Sequence, residues 1–233
     1  MELNIPFLID TFFLACSAIP VTLGITIVSL CIALPLGFFM ALSRIYRVKI
    51  VRQITIVYVS FIRGTPIVLQ ILIVYSLLPS LLNELVKKSG LSINVFDINP
   101  IVYAFAVFSL NTAAGASEMF RSALLAIDKG QMEAAYSCGL STVQAYTRII
   151  IPQALTSAIP NLCNLAVNLI KATSLAFIMT VKDVTAEAKI AASYGYNYVE
   201  AYLDIFIIYI IICTVTQKLF SLAETKLNFY KKK

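Results

Sequence analysis

The sequence predicts an all-α integral membrane protein of five transmembrane helices, and three observations carry that prediction. The chain is 60% hydrophobic and 13% charged with a mean hydropathy of +0.88, far more apolar than a soluble globular domain. Apolar runs long enough to cross a bilayer, which takes about 20 residues in a helix, recur along its length. Lys and Arg gather in alternate intervals between those runs, the bias that sets orientation in a membrane. One hydrophobic core serves the whole length, so residues 1–233 read as a single domain, with spans at about 18–43, 53–82, 100–127, 153–180 and 199–222.

The amino terminus carries Glu2 and Asp10 and no basic segment before its apolar run, which is not the pattern of a cleaved signal peptide. Residues 11–43 hold no charge. Pro20 sits at the start of the first span, where a missing N–H is harmless, and Pro35 lies inside it, where it should kink the helix. The segment RIYRVKIVR, residues 44–52, brings together Arg44, Arg47, Lys49 and Arg52 and is assigned to the cytoplasmic side. Residues 53–83 hold a single charge, Arg63, within FIRGTPIVLQ. A charge at membrane depth costs roughly 2.5 to 3.5 kcal/mol on insertion scales and so faces a bundle interior or a water-filled cavity. Gly64 and Pro66 weaken the helix beside it, and freed backbone groups need protein or water to satisfy them. Two readings follow: a Pro-kinked span whose Arg63 reaches an interface, or a break that lines a path.

Residues 84–99, with Glu84, Lys87, Lys88 and Asp97, form an external loop if the spans alternate. The third span holds Glu118 and Arg121 one turn apart on one face, as a structural ion pair or as part of a polar path. Asn111, Thr112 and the small residues 113–116 ahead of them suit close helix packing or such a path. The fourth span contains NLIKATSLAF, which places Lys171 deep in an apolar helix beside Thr173 and Ser174. An isolated ammonium in hydrocarbon is costly, so Lys171 is expected to meet a carboxylate, either Glu118 or one brought by a substrate. Residues 182–198 read as a polar external segment, and Glu200 and Asp204 fall in the outer turn of the fifth span, which leaves Glu118 as the intramembrane acid. The tail KLNFYKKK is cytoplasmic. On this placement the inside segments hold eleven of the 18 Lys and Arg residues and the outside segments four, so the amino terminus lies outside and the carboxyl terminus inside.

Between the third and fourth spans lies a polar interval, DKGQMEAAYSCGLSTVQAYTRIIIP, residues 128–152. Asp128 can cap a helix start, Gly139 permits the left-handed turn that ends one, and Ser141 with Gln144 fits a capping box for a second. Two short helices meeting at Gly139 are expected. Tyr136, Leu140, Val143, Tyr146 and Ile150 recur at spacings of three or four and should pack as one stripe on the spans, leaving Ala134 and Ala135 as a low face for a partner. The interval reads equally as an amphipathic connector at the membrane surface.

Residue identity adds a resemblance. Glu133, Ala134, Ala135, Gly139, Ile149, Ile151 and Pro152 resemble the E-A-A-x-x-x-G-x9-I-x-L-P loop of ABC permeases, with Ile151 for Leu. Phe61, Arg63, Gly64, Thr65, Pro66 and Gln70 resemble the F-R-G-T-P-x-x-x-Q string of their polar-amino-acid branch, and SEMFR at 117–121 is similar to its A-E-x-x-R. The string KATSLAF is similar to the family's K-D/N-T/S-S-L, with Ala172 at a position usually polar, and together with DKGQMEAAYSCGLS it resembles the permease subunits of Gram-positive L-cystine importers. The resemblance implies a type I ABC importer fold and alternating access in a bacterial plasma membrane. It also implies a cytoplasmic coupling helix in 128–152, with Glu133, Ala134, Ala135, Gly139 and Pro152 serving an ATPase. The partners it implies are ATPase subunits that use the ATP and magnesium, an extracellular or lipoprotein solute-binding protein, and a second permease. For the substrate path it points to Glu118, Lys171, Thr173 and Ser174, with Arg63, Thr65 and Gln70 as supporting wall. Glutamine, histidine or arginine are the alternative substrates.

The remaining composition narrows the function classes. The chain has no histidine, which removes the commonest metal ligand and general base, and it has no G-x-S-x-G, so a membrane-embedded enzyme is disfavoured. It lacks a G-x-x-x-x-G-K-[ST] loop and so cannot itself cradle ATP; no cofactor or metal is expected in this chain. Cys16, Cys31, Cys138, Cys163 and Cys213 are scattered and read as small core hydrophobes. The net charge of +6 sits beside apolar runs, where membrane orientation explains it without nucleic acid. A carrier or channel working without an ATPase is the reading that composition leaves open.

Overall fold

The computed structural model describes residues 3–90 and 94–231, and every regular element among them is helical. Helix α1 (Ile5–Ser17) starts at Asn4, whose side chain accepts the Phe7 N–H, and α2 (Ile19–Ile45) follows after a break at Ala18 alone. Helical structure therefore begins well before residue 18. α3 (Lys49–Gly64) and α4 (Ile67–Lys88) are two helices where one span was expected, because Thr65 is extended ahead of Pro66. α4 absorbs the start of the expected loop at 84–99, of which residues 91–93 lie outside the described residues, as do Glu2 and the last two residues of the tail. A short 3-10 turn, Val95–Asp97, leads into α5 (Pro100–Leu125).

The polar interval folds as α6 (Lys129–Ser137), α7 (Thr142–Ala145) and a π-helical turn, Tyr146–Ile150, that runs into α8 (Ile151–Thr173). Pro152 explains the wide turn: it has no N–H, and its ring excludes the carbonyl four residues back, so the Ile151 N–H bonds to the Tyr146 carbonyl instead. α8 ends at Thr173, not near 180, and a 3-10 turn, Ala176–Met179, follows. The segment expected to be a polar loop holds α9 (Val184–Gly195), and α10 (Tyr198–Lys231) closes the chain. α9 escapes a reading by charge because Glu187 and Lys189 share a helix with Val184, Ala188 and Ala192. These three lie four apart and are buried against α1 and α10.

Among the described residues five helical stretches are long and apolar enough to cross a membrane: Ile5–Ile45, Ile67–Lys88, Pro100–Leu125, Thr142–Thr173 and Tyr198–Lys226. The bundle is organised by α2 against α5. Ala33, Gly37 and Ala41, four apart, are buried there, and a Cβ on Gly37 would stand 2.5 Å from the Ala116 Cβ. In a bilayer, where lipid is as apolar as leucine, small residues let backbones approach and gain dispersion contacts. Phe108, Ile25, Ile71, Leu169 and Met179 form the central core, and a second cluster joins α1, α9 and α10. A third, with Leu124, Ile150 and Ala154, seats the polar interval on the basic end of the bundle. The five cysteines are free thiols and none is fully buried: Cys31 and Cys138 are exposed, which corrects their reading as core residues.

Candidate functional site

Two loci collect the residues singled out by sequence. The first is the break between α3 and α4. Pro66 disfavours a helical conformation at Thr65 and supplies no N–H, so carbonyls near the end of α3 lose their helical partners. Gln70 fills the gap: its Nε2 donates to the Ile62 carbonyl (2.9 Å) and the Thr65 hydroxyl (2.8 Å), and its Oε1 accepts from Asn111 Nδ2 (3.0 Å). The Thr65 hydroxyl donates in turn to the Phe61 carbonyl. Beside this knot lies an open cavity of about 320 Å³ lined by Ile62, Arg63, Thr65, Asn111, Thr112 and Asn168, among others. Arg63 and Thr65 both line this space, whereas Gln70 is buried behind them and does not.

Below the break Glu118 is surrounded by guanidinium groups. Arg44 Nη1 lies 2.5 Å from one carboxylate oxygen, Arg121 donates to the other from Nε (3.1 Å) and Nη2 (3.0 Å), and Arg63 Nη1 stands 4.0 Å away. The expected Glu118–Lys171 pair does not form. Arg44, which the basic bias assigned to a loop, sits in the last turn of α2 and takes the carboxylate first. Lys171 is exposed and lies within 4.0 Å of no carboxylate among the described residues. It extends a row of exposed polar residues down α8, Asn161, Asn164, Asn168 and Lys171, at spacings of three and four. That row was visible in the sequence as polar residues at helical period inside an apolar run, and it was missed. Thr173 turns inward, fully buried, donating to the Ile170 carbonyl, and the Ser174 hydroxyl donates to the Lys171 carbonyl.

Beside Glu118, the candidate span Tyr198–Lys226 carries two buried acids, Glu200 and Asp204, and a third, Asp183, is buried outside the spans at the start of α9. Glu200 accepts the Asn4 N–H at 2.9 Å, tying α1 to α10. Asp204, one turn on, is fully buried, and neither carboxylate oxygen has a hydrogen-bond partner among the described residues. Asp183 caps α9 through the Ala186 N–H and accepts from the Tyr209 hydroxyl. Burial pushes its carboxyl up to about 6, opposed by the bonds from Ala186, Thr185 and Tyr209.

The second locus is the polar interval. Asp128 caps α6 by accepting the Gly130 N–H, Gly139 takes φ +77° after α6, and Ser141 with Gln144 completes the capping box of α7. The Gly139 N–H returns to the Tyr136 carbonyl and the Leu140 N–H to that of Ala135. The packing differs from the expected stripe. Tyr146 and Ile150 join the bundle, whereas Val143 is 72% and Tyr136 48% exposed; Ala135 is buried, and Glu133 and Ala134 face outward. The rotation arises because the turn at Gly139 and the π turn each reset the helical phase. An added Cβ at Gly139 would meet nothing within 4 Å, so the outer surface there is open.

Residues 33–228 match the family of binding-protein-dependent transport system inner membrane components. The chain is 39% identical over 211 residues to the L-cystine transport system permease protein TcyL of Bacillus subtilis (strain 168), covering 90% of this chain and 85% of that one. It is 36% identical to the probable amino-acid permease protein YxeN of the same organism, covering 94% and 95%. A solved amino acid ABC transporter with histidines superposes with a TM-score of 0.80 at 28% identity, over 97% of this chain and 100% of that one. The chain belongs to the family of binding-protein-dependent transport system inner membrane components, as a multi-pass permease subunit of the bacterial plasma membrane and not an enzyme.

Proposed function

We propose that this permease carries a polar amino acid, L-cystine in the first instance, through the membrane by alternating access. The observation that carries the reading is the cavity at the α3–α4 break. It is open, lined by Arg63, Thr65, Asn111 and Asn168, and continuous with a polar row on α8, in a chain whose other exposed surface is largely apolar. A polar row on a membrane-crossing helix needs water, protein or substrate to face it. The similarity to a named L-cystine permease favours that substrate. A second reading, another polar amino acid such as glutamine, histidine or arginine, is favoured by the likeness to a transporter solved with histidines.

The amino terminus lies outside and the α6–α7 hairpin in the cytoplasm. There Glu133, Ala134 and the open turn at Gly139 meet a separate ATPase, which uses ATP and magnesium, while Ala135 and Pro152 seat the hairpin on the bundle. A solute-binding protein delivers substrate at the outer face, and a second permease, identical or homologous, encloses the path. The test is uptake of labelled L-cystine, competed by unlabelled amino acids, in cells expressing the chain with its ATPase and binding protein, each omitted in turn. Uptake should require all three and yield best to cystine. Persistence without the ATPase would make the chain a carrier or channel. Gly139→Asp should abolish uptake at unchanged protein abundance, and normal uptake by that variant would remove the hairpin from the coupling role.

A further inference from the structure

We propose that the cavity selects its substrate by a carboxylate, with Arg63 as the group that takes it, and that Glu118 is withheld from substrate. The inference rests on the amino-acid reading above and gives it a chemical rule. A zwitterion offers an acid and a base, and the residues within reach do not answer both equally. Both Glu118 oxygens are engaged, one by Arg44 at 2.5 Å and the other by Arg121 at 3.0 and 3.1 Å. Arg63 is the outlier of the cluster: it is 4.0 Å from a carboxylate oxygen that Arg44 already occupies, its side chain is 60% exposed, and it lines the cavity.

One carboxylate among three guanidinium groups leaves an excess of positive charge, and the least committed of the three faces the open space. Lys171, one turn beyond cavity-lining Asn168 on α8, adds a second exposed cation, and no acid among the described residues lines the cavity. A guanidinium binds a carboxylate through paired, charge-assisted hydrogen bonds, which gain strength away from bulk water. The ammonium end is left to neutral acceptors, the side-chain carbonyls of Asn111 and Asn168 and the Thr65 and Thr112 hydroxyls, and so is the weaker determinant.

The test uses the permease with its ATPase in lipid nanodiscs, without the binding protein, so that the selectivity measured belongs to the membrane subunit. Binding of L-cystine is compared with two analogues that each lack one kind of charged group: dithiodipropionate, which keeps both carboxylates, and cystamine, which keeps both ammonium groups. Dithiodipropionate should bind within roughly tenfold of cystine, and cystamine more weakly by a further tenfold or more, the cost of a lost charge-assisted hydrogen bond. Arg63→Ala should weaken cystine by a similar factor, with Arg63→Lys in between. Because the analogue comparison on the wild-type protein needs no variant, a poorly folded substitution does not decide the matter. Cystamine binding as well as dithiodipropionate, or a folded Arg63→Ala that binds cystine like wild type, would overturn the proposal. Absence of amino-acid uptake in cells would defeat the transport reading instead, and the ratio of the two analogues would still decide the carboxylate rule.

Discussion

Glu118 and Asp204 are both carboxylates on membrane-crossing helices, and the fold treats them in opposite ways. Glu118 is reached by arginines from α2 and α5, with cavity-lining Arg63 4.0 Å away, so its charge is matched by neighbours that themselves need an anion. Asp204 is fully enclosed between α1, α9 and α10 and has no hydrogen-bond partner among the described residues. An ion cluster costs much to dismantle because each remaining member is left unpaired, whereas a partnerless polar group adds little that an apolar side chain of similar shape would not. The same residue class is thus structural cement at one end of the bundle and a tolerated burden at the other.

The widest separation expected from this contrast is between Glu118→Ala and Asp204→Leu. Losing Glu118 should destabilise the protein by about 3 to 5 kcal/mol, seen as a large drop in the thermal unfolding midpoint in detergent, while Asp204→Leu should leave the midpoint unchanged or raise it. A comparable drop for both would mean that Asp204 has a partner and that the contrast is false. The next effect is Gly37→Ala, whose new methyl would press on Ala116, two residues before Glu118, and push α2, with its Arg44, away from α5. A cost of about 1 to 3 kcal/mol is expected. Combined with Glu118→Ala it should be less than additive, because both changes dismantle the same contact.

A third effect, read as a pH dependence, is that of Asp183→Asn, which sharpens the comparison at the end of the bundle that holds Asp204. The Asp183 carboxyl is raised from its ordinary 3.8 to about 6, so its contribution is fully present below pH 3.8 and is lost as pH rises through 6. Asparagine keeps an oxygen for the Ala186 N–H and does not ionise. The variant should flatten the pH profile of unfolding across that window, and an unchanged slope would show that another group titrates there.

What the sequence disclosed follows from the range of each cause. Asp128, Gly139 and the Ser141–Gln144 box act on backbone within four residues, so their geometry was legible in order along the chain. The weakness at Thr65–Pro66 was legible for the same reason, but that Gln70 is the group that satisfies it, from a buried position behind the cavity, was not. Pairings across the bundle were not legible. Whether Glu118 meets Lys171 or Arg44 depends on helix rotation and tilt, and a basic cluster after an apolar run looks the same whether its first arginine points to water or back into the protein. Charge counting also hid α9 and the burial of Glu200 and Asp204 in the first turns of α10, because burial by small side chains at four-residue spacing carries little hydropathy.

The π turn at Tyr146–Ile150 fixes an azimuth. Thr142–Thr173 is one continuous helical stretch, so the hairpin and the cavity wall share a rod with no loop to absorb rotation between them. Each residue of an α-helix advances the side-chain direction by about 100°, and a π turn inserts the equivalent of one additional residue into that count. Ala145, facing the bundle at one end, and Asn168, facing the cavity at the other, are therefore aligned through this offset. Were the turn to relax to plain α-helical winding while the hairpin kept its seat, the row Asn161, Asn164, Asn168 and Lys171 would swing by about a quarter of a circle away from the cavity. Five residues near one end of the rod thereby set the bearing of the polar face at the other.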